Sequence, residues 1–353
     1  MAEMDEAKLH EFVGKFVEDL GAVAHASTVL IGDRLGLYRA MAECQPMSSD
    51  EVAERAGIDE RYAREWLAAQ AASGYVEYDA DTGKFRLPEE QAYALTDEYN
   101  HLFIPGGLQV AASMIKDVDM MVDAFRSGRH VGWHEHDHDL YAGTERFFRP
   151  NYLASLTSEW IPALDAVEEK LERGARVADV GCGRGASTVI MAQTYPNSTF
   201  QGFDYHDDSI EAAREAARRA GVAERCRFEV GTAKEYPGSG YDLVAVFDCL
   251  HDMGDPAGAA AHVRETLSPD GTWMIVEPFA NDALEENLTP VGRIYYSAST
   301  TLCTPNSKSQ EVGLALGAQA GEARIRQVTE EGGFHRFRRA AETPFNIVYE
   351  ARP

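Results

Sequence analysis

Apolar side chains recur at helical spacing over the first forty residues. Between residues 7 and 40 they lie three and four positions apart, which is typical of helices with one buried face. The series comprises Leu9, Phe12, Val13, Phe16, Val17, Leu20, Val23, Val29 and Leu30. No charged residue occurs between Gly21 and Gly32, so the segment 22–31 is predicted to need a cover that its own module does not provide. We expect a second copy of the chain to supply that cover, the alternative being burial within one chain.

The hydrophobic pattern of residues 36–90 predicts two capped helices and a hairpin. Ser48 or Ser49 provides an N-cap for the first helix, and Gly57 ends it. Asp59 begins the second helix, and Gly74 ends that one. The following run, YVEYDADTGKFRL, alternates on both sides of a turn, which predicts a β-hairpin. A helix, a turn, a helix and a hairpin in this order are typical of a winged helix.

The charges of this module argue against DNA reading. A DNA-binding winged helix presents basic and amide side chains on its second helix. Here Arg61 and Arg64 stand beside Asp59, Glu60 and Glu65, and residues 28–100 hold 7 basic against 15 acidic side chains. We therefore expect the module to have a structural or dimerising role.

The pattern changes again near residue 150. Residues 101–150 predict a connecting helix and a loop containing the run WHEHDHD, and beyond them strands alternate with helices up to the C-terminus. The predicted organisation is a domain over residues 1–100, a connection over 101–150 and a domain over 151–353. An irregular insertion near 279–320 is predicted to be a substrate lid, with an added interface helix as the alternative.

A glycine-rich turn carries the first chemical signal. The sequence ARVADVGCGRGASTVIMAQTYP predicts a buried strand, a tight turn through Gly181, Gly183 and Gly185, and a helix. A helix N-terminus behind such a turn favours a nucleotide-like ligand. The next predicted strand ends in Asp204, 19 residues past Gly185, where a carboxylate can accept both ribose hydroxyls.

The spacing of the glycines distinguishes between two ligand classes. Dinucleotide folds carry G-x-G-x-x-G, whereas this chain carries G-x-G-x-G with Asp179 two residues ahead. The pattern therefore favours a nucleoside with an amino acid tail over one with a pyrophosphate.

Five segments in a fixed order carry a family resemblance over residues 151–353. They are DVGCGRG, FDY, RFEVGTAK, YDLVAVFDCLHD and LSPDGTWMIVEP. Together they resemble the class I S-adenosylmethionine-dependent methyltransferases. The whole chain is similar to bacterial members that carry an N-terminal winged-helix dimerisation domain, which are relatives of the small-molecule O-methyltransferases and of a mycobacterial-type branch of unassigned substrate. The resemblance implies an α/β fold: a seven-stranded Rossmann-like sheet preceded by a mostly helical winged-helix domain.

The resemblance also implies a set of residues that bind S-adenosylmethionine. Those facing its methionine part would be Asp179 and the backbone of Gly181, Gly183 and Gly185, with Phe247 and Asp248 under the amino group. Those facing its nucleoside would be Asp204 for the ribose, Tyr205 for the adenine face, and Thr232, Ala233 and Lys234 for the adenine edge. Many relatives carry Asp where this chain has Ala233, so another acceptor, Glu235 or a carbonyl, is expected to bind the adenine amino group.

The catalytic hypothesis centres on His251. In small-molecule O-methyltransferases a His-Asp pair at this place supplies a general base, and the segment CLHDMGD matches it. The alternative is that His251 only orders its loop. The expected acceptor is a small molecule, with O-methylation favoured, and its contacts are expected from Trp133, His134, Tyr152, Tyr295 and Tyr296.

The histidine-rich run at 133–139 offers several side chains that could ligate a metal. Alternating polar residues more often mark a solvated loop or one that contacts the substrate path. No metal is therefore predicted.

The composition of the chain excludes several classes of partner and location. The formal net charge of −25 repels nucleic acid and anionic membrane surfaces, so neither is an expected partner. No apolar window reaches the roughly 20 residues of a membrane span. The five scattered cysteines form no C-x-x-C pair, which favours free thiols and a cytoplasmic location. The rival function is a nucleoside-sensing winged-helix transcriptional regulator without catalysis.

Overall fold

The computed structural model describes residues 4–353, which divide into two compact units. The first unit extends to Ala112 and the second begins at Ser113. This division lies within a helix, Pro105–Lys116, and a later helix, Asp139–Ser155, runs through residue 150. The composition change near residue 150 therefore does not coincide with a break in the backbone, because a continuous helix crosses it.

One long helix, several shorter helices and a small hairpin build the first unit. Its elements are α1 (Glu6–Leu35), α2 (Leu37–Ala40), α3 (Ser49–Ala56), α4 (Glu60–Ala72), β1 (Glu77–Asp79), β2 (Lys84–Arg86), α5 (Glu89–Leu95) and, at the division, α6 (Pro105–Lys116). The Ser48 hydroxyl accepts from the Glu51 N–H while the Glu51 carboxylate accepts from the Ser48 N–H, a reciprocal N-cap. Strands β1 and β2 pair antiparallel. The predicted helix, turn, helix and hairpin are confirmed.

Within residues 22–31, Val23 and Ile31 are exposed, as predicted, and the prediction needs a correction only for Val29 and Leu30. Val29 and Leu30 are buried within the first unit, in a core that also contains Trp66. Gly32 permits this packing, since a Cβ there would lie 2.6 Å from the Trp66 ring. The exposed apolar stripe of α1 lies nearer its N-terminus and consists of Leu9, Phe12, Val13, Phe16, Val17, Leu20 and Val23.

The second unit is a sheet with helices on both faces. Its helices are α7 (Val118–Ser127), α8 (Asp139–Ser155), α9 (Val167–Arg173), α10 (Ala186–Thr194), α11 (Asp207–Arg219), α12 (Pro256–Thr266), α13 (Pro290–Ala298), α14 (Thr304–Ser309) and α15 (Gly321–Glu331). Its strands are β3 (Arg176–Val180), β4 (Thr199–Asp204), β5 (Cys226–Val230), β6 (Tyr241–Phe247), β7 (Leu267–Pro278), β8 (Arg336–Glu342) and β9 (Asn346–Arg352). Short 3-10 turns lie at Trp133–Glu135, Leu250–Asp252 and Leu284–Asn287, and π-helical turns at Leu156–Trp160 and Ser299–Cys303.

The strand order in the sheet is β5-β4-β3-β6-β7-β9-β8. Strands β5, β4, β3, β6 and β7 run parallel, whereas β9 is antiparallel to both β7 and β8. The predicted seven-stranded α/β fold is confirmed, and its last two strands form an antiparallel pair. Because β3 lies between β4 and β6, the order of the parallel strands reverses beside it, and such a switch point is where α/β sheets bind ligands.

Alternating side chains of the central strands fill two cores, one on each face of the sheet. Leu243 and Ala245 belong to one core, and Val244 and Val246 to the other. This near-continuous apolar run is typical of a parallel strand covered on both faces. Within residues 4–353, no helix is both long and apolar enough to cross a bilayer.

Candidate active site

A cavity of about 640 Å³ opens at the carboxyl ends of the parallel strands. The turns that follow β3, β4, β5 and β6 each contribute lining residues. The remaining wall comes from the turn at 133–134, from α8, from residues 252–255 and from residues 306–311. Such a concave site at a switch point is the place where this class of sheet holds small molecules.

The glycine turn adopts a backbone that other residues rarely adopt. Gly181, Gly183 and Gly185 all have positive φ, at 77°, 51° and 82°. A Cβ on Gly181 would lie 2.6 Å from the Cys249 sulfur, whereas nothing lies within 4 Å of the Cβ position of Gly183. Gly181 and Gly183 line the cavity, and Gly183 therefore leaves open space for a close ligand.

Gly185 does not line the cavity, contrary to the prediction that its backbone faces the ligand. It directly precedes α10, and a Cβ there would lie 2.8 Å from the Cβ of Ala213. Its small size thus serves the packing of α10 against α11, as the third glycine does in related turns.

Asp204 lies at the cavity wall and orders the glycine turn. Its carboxylate accepts from the N–H of Gly183 at 2.9 Å and from the N–H of His206 at 3.0 Å. Burial nevertheless raises the pKa of Asp204 above its ordinary value. Asp204 also lines the cavity.

Asp179 lies behind the glycine turn, and the prediction that it faces the ligand directly is not supported by its position. It is fully buried and absent from the cavity lining. Its Oδ2 accepts from the hydroxyls of Ser187 and Thr188, both at 2.6 Å, whereas its Oδ1 has no hydrogen-bond partner among the described residues. Burial raises the pKa of Asp179 to about 6.

Four other predicted residues line the cavity as expected from the strand order. They are Tyr205, Thr232, Ala233 and Phe247. Glu235, one of the two acceptors expected to compensate for Ala233, also lies in the wall. Lys234, between Ala233 and Glu235 in the sequence, is ion-paired to Asp255 at 3.1 Å and to Glu311 at 3.0 Å.

Asp248 is a buried carboxyl in a strained turn directly after β6. Its φ is 51°, a region that residues with a Cβ seldom adopt. The Tyr152 hydroxyl donates to its Oδ2 at 2.8 Å, and the Asn346 amide donates to its Oδ1 at 2.6 Å. Burial, with a further contribution from the charge of Glu277, raises the pKa of Asp248 to about 8. Tyr152 and Asp248 both line the cavity.

His251 is buried and does not line the cavity. Its position therefore does not support the expectation that it contacts the acceptor directly as a base. Its Nδ1–H donates to the Glu277 carboxylate at 2.5 Å, and its Nε2 lies 3.4 Å from Asp252 Oδ1. Asp252 does line the cavity and accepts from the indole N–H of Trp133 at 3.1 Å.

The charge state of His251 follows from its neighbours. Burial by itself would lower the pKa of His251, but the carboxylates of Glu277 and Asp252 outweigh burial and raise it well above the ordinary value. His251 and Asp252 thus form a charge-coupled pair in which only the carboxylate faces the cavity.

The structure separates the expected acceptor contacts into two groups. Trp133, His134 and Tyr152 line the cavity. Tyr295 and Tyr296 do not, and the Tyr295 hydroxyl instead donates to the carbonyl of Phe345 at 2.8 Å. Helix α13 thus directs Tyr295 toward the turn between β8 and β9, and the predicted lid supplies other residues to the cavity.

Several lining residues lie outside the predicted set. From α8 come Tyr141, Thr144, Glu145 and Phe148, from α14 come Asn306 and Ser309, and directly after α14 come Gln310 and Glu311. Their sequence context offers no regular spacing that links them to the glycine turn. Glu277, which accepts from His251, could have been found from the sequence. It lies near the end of an apolar strand, and a charged residue is rarely buried there without a partner.

The histidine-rich run is bound by ion pairs along its length. Lys116 binds both Asp137 and Asp139, Arg129 binds Glu135, and the His136 ring contacts Asp117 at 2.8 Å. These contacts hold the segment that places Trp133 and His134 at the cavity.

Comparisons with known families match both parts of the chain. Residues 23–97 match the Rv2258c-like winged HTH domain, and residues 171–333 match a family described as methyltransferase domain. The chain therefore joins a winged-helix domain to a class I methyltransferase domain. The predicted domain types, and the resemblance on which they rested, are confirmed.

Two curated relatives each match about a third of this chain. One is 27-O-demethylrifamycin SV methyltransferase of Amycolatopsis mediterranei, 29% identical over 131 residues, which are 35% of this chain and 48% of that protein. Another is trans-aconitate 2-methyltransferase of Deinococcus radiodurans, 32% identical over 114 residues, 32% of this chain and 42% of that protein. The chain thus spans less than half of the length of these two relatives.

Solved structures extend the similarity of fold to the whole chain. Human N-acetylserotonin methyltransferase, solved in complex with SAM, aligns over 100% of this chain and 99% of its own, with a TM-score of 0.72 and 16% identity. The mitomycin 7-O-methyltransferase MmcR aligns over 99% of this chain and 100% of its own, with a TM-score of 0.70 and 19% identity. Because these sequence identities are low, the alignments establish only that the chain shares its fold with these methyltransferases.

Proposed function

We propose that this protein is an S-adenosylmethionine-dependent methyltransferase that methylates an oxygen atom of a small molecule. One observation carries the proposal. The left-handed turn at Gly181 and Gly183, the carboxylate of Asp204 and the carboxylate of Asp252 all line one cavity. A nucleoside site and a place for a second reactant are thus continuous, as methyl transfer between two bound molecules requires.

The residues at the nucleoside end fit the proposed cofactor. Asp204 would accept the ribose hydroxyls, and Gly183 leaves the space that a closely approaching ligand needs. Tyr205 would cover one adenine face, with Thr232 and Ala233 along its edge. Asp179, behind the same turn, accepts from the hydroxyls of Ser187 and Thr188 and so would support the turn rather than touch the ligand.

The methyl-transfer end of the cavity is also polar and partly aromatic. Asp248 would face the ligand's ammonium group beside Phe247, and both line the cavity. Tyr152 and Asn346 fix both oxygens of Asp248 by hydrogen bonds, so the carboxyl group is held in one orientation. A fixed orientation of this kind is what brings two reactants into line.

The acceptor proton would leave through the pair formed by Asp252 and His251. When bound, S-adenosylmethionine supplies an electrophilic methyl group on its sulfonium. Asp252 touches the cavity, His251 lies 3.4 Å behind it, and Glu277 holds the imidazole by its Nδ1–H. The carboxylate of Asp252 would take the acceptor proton first, and His251 would accept it only above its raised pKa, where the imidazole is neutral.

Replacing Asp204 tests the cofactor assignment. Asp204→Ala is expected to weaken S-adenosylhomocysteine binding by about 1.5 to 3 kcal/mol, because hydrogen bonds to a charged group are lost. Titration calorimetry measures this, and Asp207→Ala, an exposed residue of the next helix, is the matched control. Asp204→Asn, which keeps the size of the side chain, separates ligand loss from disorder of the glycine turn. Unchanged affinity in both folded variants would remove Asp204 from the site.

The rival function, a winged-helix regulator, is disfavoured by the surface of α4. Arg61 and Arg64 are ion-paired to Glu65 and Glu60 of the same helix, at 2.5 and 2.6 Å. These guanidinium groups are therefore already neutralised by carboxylates that would repel a phosphate backbone.

The proposed assembly is a homodimer formed through α1. The apolar stripe of that helix is exposed over several turns, and exposed stripes of this length mark interaction surfaces. A second copy of the same helix presents an equal stripe and needs no other partner.

The proposed location is the cytoplasm. All five cysteines carry free thiols, and four of them lie in the second unit. Unpaired buried thiols are typical of proteins kept in a reducing compartment.

A further inference from the structure

The amino acid part of the proposed cofactor carries an ammonium group and a carboxylate. In the proposed arrangement Asp248, beside Phe247 in the cavity wall, faces the ammonium group. The carboxylate needs a partner of its own, because a carboxylate that leaves water is stable only where charged groups or N–H donors replace its hydration. The cavity wall therefore has to supply a cation near the glycine turn.

Two lysines or arginines line the cavity among the described residues, Arg184 and Lys234. Lys234 lies in the turn after β5, at the place proposed for adenine, and is ion-paired to both Asp255 and Glu311. Arg184 lies within the glycine turn itself. Because the resemblance assigns that turn to the methionine part, Arg184 is the cation placed to meet the carboxylate.

A carboxylate on α8 orients the Arg184 guanidinium. Arg184 Nε donates to Glu145 Oε2 at 2.8 Å, and Arg149 Nη1 donates to the other oxygen of Glu145, also at 2.8 Å. One carboxylate thus serves two guanidinium groups, and its single charge does not neutralise both. Within residues 4–353, Nη1 and Nη2 of Arg184 form no hydrogen bond. Both terminal nitrogens of Arg184 are therefore donors left for a ligand.

The backbone beside Arg184 leaves room for that ligand. Nothing lies within 4 Å of the Cβ position of Gly183, which also lines the cavity. Ala186 and Ser187, the first two residues of α10, belong to the cavity wall as well. The first N–H groups of a helix have no partner within it, and the positive end of its dipole favours an anion. Open space, a cation and a helix N-terminus thus occur together at the glycine turn.

We propose that the terminal nitrogens of Arg184 bind the carboxylate on the amino acid part of the cofactor. The inference rests on the proposed function, since it takes S-adenosylmethionine as the ligand. A planar guanidinium can donate two parallel hydrogen bonds to a carboxylate, which the ammonium group of a lysine cannot do. Arg184 would in this way distinguish the whole cofactor from nucleosides that lack the carboxylate.

Three ligands with the same adenosine part test the proposal. S-adenosylhomocysteine carries the ammonium group and the carboxylate, its decarboxylated analogue carries only the ammonium group, and 5′-methylthioadenosine carries neither. Their dissociation constants are measured by calorimetry on the full chain. The wild-type chain is expected to bind S-adenosylhomocysteine about tenfold or more tighter than the decarboxylated analogue, because charge-assisted hydrogen bonds are lost with the carboxylate.

Substitutions of Arg184 assign this preference to one side chain. Arg184→Met removes the charge and keeps an unbranched chain, and it is expected to weaken S-adenosylhomocysteine binding about tenfold or more without weakening the other two ligands. Arg184→Lys restores the charge without the planar donors and should recover only part of the affinity. Arg219→Met, at an exposed position of α11 outside the cavity wall, is the matched control and should change none of the three constants.

The same constants separate failure of this inference from failure of the proposed function. A wild-type chain that binds none of the three ligands contradicts the proposed function, and the inference falls with it. A wild-type chain that binds S-adenosylhomocysteine no tighter than its decarboxylated analogue contradicts the inference alone. So does a folded Arg184→Met variant that keeps the wild-type preference. A variant that loses all three ligands equally also overturns the inference, because Arg184 would then support the turn and not the carboxylate.

Discussion

Single residues at the end of β6 combine burial, charge and strain. Asp248 and Glu277 lie side by side because β6 and β7 pair in register up to Phe247 and Val276, and the Asp248 N–H donates to the Val276 carbonyl. Two neighbouring buried carboxyls favour a proton on one of them. Asp248 has the raised pKa, at about 8, and Glu277 is the partner of His251.

The raised pKa of Asp248 predicts a pH dependence of stability. A carboxyl whose folded-state pKa lies above its unfolded value contributes stability that is fully present below the unfolded pKa, near 4. That stability is lost as the pH rises through about 8. Asp248→Asn imitates the protonated form, so it is expected to raise the melting temperature at pH 8.5 more than at pH 5.

Thermal unfolding across this pH range checks the prediction on ligand-free protein. The difference between the two pH values should be on the order of a few degrees. Asp242→Asn, a partly buried residue of β6 outside the cavity wall, is the control. A variant whose stability follows the wild-type pH profile would show that Asp248 is ionised in the folded protein.

His251 gives a second prediction at this scale, for turnover. Loss of a general base costs about 10²- to 10⁴-fold in rate. With an acceptor found by screening, His251→Gln should lower kcat to that degree while S-adenosylhomocysteine affinity changes little. Because Glu277 and Asp252 raise the pKa of His251, the wild-type rate should rise with pH through a range above the ordinary histidine value of about 6.5.

The control for this prediction is His335→Gln, an exposed histidine outside the cavity wall. A pH profile of kcat that loses its rising limb in His251→Gln, and keeps it in the control, supports the Asp252–His251 pair. Near-normal turnover in His251→Gln would leave His251 only the ordering of its loop.

The residues predicted from sequence are those whose place follows from strand order. Gly181, Gly183, Asp204 and Asp248 all follow parallel strands, and such strand ends meet at one edge of the sheet. The position of His251 behind Asp252 could not be predicted in this way, because a 3-10 turn decides which of two adjacent side chains faces the cavity.

At the scale of elements, the caps were the most predictable feature. The reciprocal cap of Ser48 and Glu51 and the left-handed Gly57 are local, and a few adjacent residues determine them. The segments that close the cavity are instead held by contacts between residues far apart in the sequence. They depend on Asn306, which accepts from the Trp133 N–H and donates to the Asp252 carbonyl, both at 3.1 Å, across long stretches of chain.

The segment 279–320, predicted to be a lid, is likewise held by residues far apart in the sequence rather than by a local pattern. The sequence left open a lid or an added interface helix, and the structure forms α13, a π-helical turn and α14 there. Gln310 secures the end of this segment by donating to the Asp252 carbonyl at 3.2 Å and accepting from the Gly254 N–H at 3.1 Å. Side-chain amides of this kind bind a segment whose sequence carries no periodic signal.

At the scale of the whole molecule, the exposed stripe on α1 predicts dimerisation. Phe12 and Phe16 are 65% and 58% exposed in the single chain. Burying such side chains on both copies removes apolar surface from water, at about 25 cal/mol for each Å². Light scattering on the full chain should therefore return about twice the monomer mass of 38.9 kDa at micromolar concentration.

Substitutions on the two faces of α1 separate this interface from other modes of association. The double variant Phe12→Glu, Phe16→Glu places charges in the stripe and should shift the mass toward that of one chain. Glu18→Gln, on the opposite face of the helix, should leave the mass unchanged. Both phenylalanines are exposed in the single chain, so their loss does not open its core, and circular dichroism should report the same helix content. A wild-type mass of one chain across a dilution series, or a dimer that survives both glutamates, would mean that α1 is not the interface.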